Sequence, residues 1–214
     1  MIDVLLIAHI AGGGLALVAG LIALILRKGS SGHRWVGCGF VIAMLVMAVF
    51  GGLLAWFEGK PFDLLSSLLV CYLVLSAAGA YRPHNRTTVN ALLGLGVLIL
   101  VGYLGVELYA VQTGVRATEA PGGAGYVFAV IVVLALFGDR RAAGGVKSAP
   151  QNMQRHQWRM NFALLMATVS FFGARPHLFP AWMQDSGMLL ALSFAPLLVM
   201  TYWMVKLRRL VPNA

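Results

Sequence analysis

The chain has 214 residues, of which 60% are hydrophobic and only 11% charged, and its mean hydropathy is +0.84. A soluble domain carries about 25% charged residues, so a water-exposed globular fold is excluded and most of the chain must face lipid or pack on itself. The net charge of +9 then bears on membrane orientation, and no nucleic-acid partner is expected.

Seven apolar runs follow one another, at residues 4–26, 35–56, 64–80, 89–111, 125–137, 158–173 and 188–205. A membrane-spanning helix needs about 20 residues, with a range of about 17 to 25. The first, second, fourth and seventh runs are comfortable. The fifth and sixth are short and must borrow flanking residues or thin the bilayer locally. No basic segment stands ahead of the first run, and Asp3 is the only charge before it. It therefore reads as a transmembrane helix and not as a cleaved signal.

Of the 16 Lys and Arg, all but Lys60, Arg116 and Arg175 fall on the odd-to-even connections or the C-terminal segment. Cationic side chains resist translocation, so that face is cytoplasmic, the N-terminus is outside and the C-terminus is inside. The expectation is a multi-pass protein of the bacterial inner membrane. Its longest inner connection, 139–154 (DRRAAGGVKSAPQNMQ), reads as a polar, mobile loop. The outer stretch RATEAPGGAG has turn composition. No linker divides the chain, so residues 1–214 are expected to form a single all-α bundle of seven transmembrane helices.

Two stripes bear on packing. The first run places Ala8, Gly12, Ala16 and Gly20 at fourth-residue spacing. Such a stripe lets two backbones approach closely, which would put the first helix at the centre of the bundle. In the sixth helix His156, Met160, Ala163, Ala167 and Ser170 share one face. Thr168 and Ser170 can return their hydroxyls to the backbone. Cys38 and Cys71 both lie in apolar runs and say nothing about an oxidising compartment.

Five histidines occur. His33, His84 and His156 precede the three helices that run outward from the cytoplasmic side. The spelling His-x-Trp recurs at His33-Arg34-Trp35 and His156-Gln157-Trp158. These residues are either interfacial anchors, with Arg155 and Arg159 holding that end in water, or two halves of a site. Imidazoles at matching depth could ligate a haem iron between helices. His177 lies in an outer loop. His9 lies in the outer third of the first helix, and Glu107 in the last two turns of the fourth, near the same face. An intramembrane acid is a functional hypothesis by default. Glu107 with His9, joined by Tyr103 one turn earlier, could form a proton-carrying group, or Glu107 could snorkel to the surface. There is no phosphate-binding glycine loop, no His-Glu-x-x-His and no Cys-x-x-Cys. An intramembrane zinc hydrolase would have only Asp139 as an inner acid and lacks a His-x-x-x-His pair.

Three blocks, HIAGGGLALVAG, GHRWVGCGFVIAML and RHQWRMNFALLMATVSFFGAR, together resemble an uncharacterised family of bacterial polytopic membrane proteins. That family shows a His-Ile-x-x-Gly opening, a His-Arg start to helix two and a later His-x-x-Trp-Met-x-Arg. The blocks cover about a third of the chain. They depart from the pattern where Cys38-Gly39 replaces the usual Gly-Arg, and where His156 has one residue fewer before Trp158. The resemblance implies His9, His33 and His156 as the positions to watch and brings no reaction with it. The layout is also similar to membrane b-type cytochromes, an analogy at the level of fold.

Two classes of function follow. One is a redox or electron-transfer protein in which His33 and His156 hold a haem b, or face a quinone headgroup, near the cytoplasmic side. In it, His9, Tyr103 and Glu107 form a proton-linked group. The other is a cofactor-free, proton- or cation-linked transport protein or an accessory subunit, whose basic rim meets anionic lipid or a membrane partner subunit. Whether the chain is an enzyme is left open between them.

Overall fold

A computed structural model of the chain describes residues 2–81, 86–115, 122–143, 149–173 and 176–208. Among them there is no strand. The helices are α1 (Ile2–Ile25), α2 (Ser31–Phe57), α3 (Pro61–Ala78), α4 (Arg86–Thr113), α5 (Ala124–Ala143), α6 (Ala149–Thr168), α7 (Ala181–Asp185) and α8 (Met188–Arg208). A 3-10 turn, Gly79–Tyr81, prolongs α3, and a π-helical turn, Val169–Gly173, prolongs α6. Five helices, α1 to α4 and α8, are long and apolar enough to cross a membrane. The protein is an all-helical membrane protein.

Helices α5 and α6 have 20 residues each but carry charge: Asp139, Arg140 and Arg141 in one, Arg155 and Arg159 in the other. Both extend beyond the apolar runs expected there, which were 125–137 and 158–173. Much of the 139–154 stretch expected as a mobile loop is therefore helical, and residues 144–148 lie outside the described residues. Its Ala, Arg, Gln and Met are good helix formers, and hydropathy gives no sign of a helix whose polar groups turn inward.

The junctions follow local rules. Lys28 Nζ donates to Ala23 O at 2.8 Å and Leu24 O at 3.2 Å, satisfying carbonyls in the last turn of α1. Gly29 takes a left-handed φ of +80°, and Ser30 then caps α2 by accepting the His33 N–H at 3.2 Å. Pro61 opens α3, where its missing N–H costs nothing.

Helix α3 is the central wall. Its Val70 and Val74 face a core with Ala16, Met44, Ala163 and Ala167. Its Leu69, Tyr72 and Leu73 face a second core with Ile99, Tyr103, Val132 and Ala135. In its apolar window 44% of residues are buried, against 17% for α1, so the central position expected for the first helix belongs to the third. The small-residue stripe does pack as read. A Cβ on Gly12 would lie 2.8 Å from Met47 N, and one on Gly20 would lie 2.8 Å from Leu164 Cδ1. A stripe supplies one close face, however, and Ile7, Leu15 and Val18 leave the opposite side of α1 exposed.

Helix α6 is held to α8 by Thr168. Its Oγ1 reaches Leu165 O at 2.9 Å and, across the interface, Ser193 O at 2.8 Å. The π turn that follows widens the helical repeat. Ser170 is consequently exposed, off the face that Ala163 and Ala167 bury.

Candidate functional site

His33 and His156 use the same ring nitrogen in the same way. His33 Nδ1 lies 3.2 Å from Ala23 O at the end of α1, and His156 Nδ1 lies 3.0 Å from Ala77 O at the end of α3. A carbonyl only accepts, so Nδ1 must be the donor in each pair, and in the neutral ring Nε2 keeps its lone pair. The two rings lie within electrostatic reach of each other, and the Lys28 ammonium is within reach of both. Each of the two histidines expected to pair is thus fixed by a carbonyl at a helix end.

Lys28 shares Ala23 O with His33, and burial holds its amine below the ordinary lysine value. The Trp203 ring has Lys28 Nζ at 5.7 Å and Lys206 Nζ at 4.9 Å from its centre. This end of the molecule is basic, with aromatic rings among its cations.

His9 has a different set of partners from Glu107 and Tyr103. His9 Nδ1 donates to Met47 O on α2 at 2.8 Å, in a space kept open by Gly51, where a Cβ would stand 2.7 Å from that nitrogen. Glu107 Oε1 accepts the Gly125 N–H at 2.6 Å, so the carboxylate caps the first turn of α5. Tyr103 is fully buried, stacks on Phe128 at 5.4 Å and has its hydroxyl 3.1 Å from Ser66 Oγ. The contact expected between His9 and Glu107 is not among these bonds. The physical reason is that each group meets a backbone partner on its own neighbouring helix. Tyr103 and Glu107 do share a face of α4, as their spacing requires, and both meet α5.

A buried charged cluster lies elsewhere. Asp139 on α5 is 2% exposed and accepts through Oδ1 from Arg155 Nη2 and from Arg159 Nη1, the latter at 2.9 Å. Its Oδ2 accepts from Tyr72 on α3. Arg159 is wholly buried. Its Nη2 donates to Ala135 O at 2.6 Å, and its guanidinium lies 5.3 Å from the Trp158 ring and 5.7 Å from the Tyr72 ring. Gly138 makes room, since a Cβ there would stand 3.2 Å from Arg159 Nη2. The expectation that Arg155 and Arg159 sit in water is overturned. The available signal was their fourth-residue spacing, which stacks both on one helix face, opposite an isolated acid.

His84 lies outside the described residues, and His177 is exposed. Among the described residues no three of His, Cys, Asp and Glu converge as a metal centre would require, so the zinc-hydrolase reading has no centre there. A largely apolar cleft of about 290 Å³ between α2 and α3 is lined by Gly52, Trp56, Ser67 and Cys71 among others. Compared with known proteins, the chain matches no protein-family model, no curated protein and no solved structure.

Proposed function

We propose that this is a seven-span redox protein of the bacterial inner membrane, with α5 and α6 completing the five apolar spans. In this reading the N-terminus is outside and the basic end of the bundle is cytoplasmic. The single observation that carries the redox reading is the matched pair His33 and His156, each fixed through Nδ1 by a helix-terminal carbonyl. Such a bond orients an imidazole, and ligating histidines are commonly held through one ring nitrogen in this way. The donor set fits a haem b, which His33 and His156 would hold and which would supply one-electron chemistry. A quinone headgroup could instead accept from the Lys28 ammonium at the same end of the bundle. Lys28 would balance the carboxylates of a haem. The family resemblance rests on its three sequence blocks and points to the same histidines.

The test is a visible absorption spectrum of the detergent-purified protein, oxidised and dithionite-reduced, with metal analysis of the same sample. A Soret band that sharpens on reduction and is lost in His33→Ala or His156→Ala is expected. A colourless, iron-free protein would sink the haem reading.

The second reading, a cofactor-free transport protein or accessory subunit, is favoured by the cations around Trp203. That basic aromatic rim suits an anionic lipid surface or a partner subunit without any cofactor.

A further inference from the structure

The Asp139 cluster is electrically unbalanced. Two guanidinium groups share a single oxygen of one carboxylate, so among the described residues one positive charge has no counter-charge. Uncompensated charge inside a bundle is costly, and partial compensation by aromatic faces reaches only Arg159. The remaining polar atoms point the same way. Arg155 Nε, Arg159 Nε and Gln157 Nε2 are buried donors without a hydrogen-bond partner, against one orphan acceptor, Asn161 Oδ1.

Arg159 is otherwise committed, to Asp139, Ala135 O and two rings. Among the described residues Arg155 has only the shared Asp139 oxygen, and its side chain retains 10% exposure. We propose that Arg155, backed by the charge of Arg159, is the seat of a binding site for a phosphate-class anion at this end of the bundle. A guanidinium engages tetrahedral oxyanions through its forked N–H groups, and several such donors favour phosphate. The site is separate from the His33–His156 pair and does not depend on the redox reading. Asp139 is then a competitor as well as an anchor: it holds the arginines in place and dilutes their charge.

That dual role gives the test its sign. The full-length protein is placed in nanodiscs, one set of phosphatidylcholine alone with inorganic phosphate titrated in, the other with increasing phosphatidylglycerol. Ionic strength is held constant with chloride, and the thermal unfolding midpoint is read. A saturable rise is expected for the wild type, shifted to at least about ten-fold lower anion concentration in Asp139→Asn, because a competing charge is gone. In Arg155→Gln the rise should vanish. A response to inorganic phosphate identifies a soluble phosphate compound as the source, and a response to phosphatidylglycerol alone identifies a lipid headgroup. The proposal is overturned if neither anion raises the midpoint of the wild type or Asp139→Asn. It is also overturned if the rise survives Arg155→Gln but is lost in a Lys28→Gln/Lys206→Gln double variant. Should Arg155→Gln not fold, the direction of the Asp139→Asn shift alone decides.

Discussion

Arg159 donates to Asp139 across 2.9 Å between α6 and α5, with side-chain exposures of 0% and 2%. Asp139 also receives Arg155 and the Tyr72 hydroxyl, so one carboxylate ties three helices. Removing it strands two buried cations, whereas removing Arg159 leaves Asp139 with Arg155 and Tyr72. Asp139→Ala should therefore cost about 3–5 kcal/mol of stability, and Arg159→Met clearly less. Chemical or thermal unfolding in a phosphate-free detergent solution measures both. Equal losses in the two variants would contradict the counting of partners.

Glu107 was a candidate proton carrier by its position, but its bond to the Gly125 N–H makes it a cap. Glu107→Gln keeps an acceptor oxygen, while Glu107→Ala loses it at about 1–2 kcal/mol. Gly125→Ala should lose at least as much, since the added Cβ would stand 2.7 Å from Glu107 Oε1. The check is the order of unfolding midpoints, with Glu107→Gln the most stable of the three variants.

The α1–α2 contact depends on Gly12, where a side chain would meet the Met47 backbone nitrogen. Because backbone cannot swing aside, Gly12→Val should displace α1 and cost about 1–3 kcal/mol. Gly14, with open space around it, should accept Ala with little change. Protease sensitivity of the α1–α2 connection, compared between the two variants, reads the displacement.

Thr168→Val removes the hydroxyl that reaches Ser193 O while keeping the branched shape. Hydrogen bonds between membrane helices average about 0.6 kcal/mol, so a small loss is expected. Thr168→Ser should retain most of the bond. A Val variant as stable as the Ser variant would mean that packing alone joins α6 to α8.

Several features were legible in the residues themselves. Apolar runs of helical length announced the spans, and the fourth-residue spacing of Ala8, Gly12, Ala16 and Gly20 announced a close helix contact. The inward turn of Arg155, Arg159 and Asp139 left no trace beyond the fourth-residue spacing of the two arginines. A hydropathy scale scores an arginine as solvent-seeking and carries no information about which carboxylate lies across the bundle.

By itself, then, the sequence determined the helical class, the apolar surface and the basic asymmetry, because these depend on composition and on periodicity along one chain. Only the tertiary structure decided that α3 and not α1 is central, that Glu107 caps α5, and that Asp139 binds Arg155 and Arg159. Each of these depends on which groups from distant parts of the chain meet where water is excluded. Inside such a bundle a polar group is governed by its nearest partner, and residues as far apart in sequence as Tyr72 and Asp139 become neighbours only once the helices have packed.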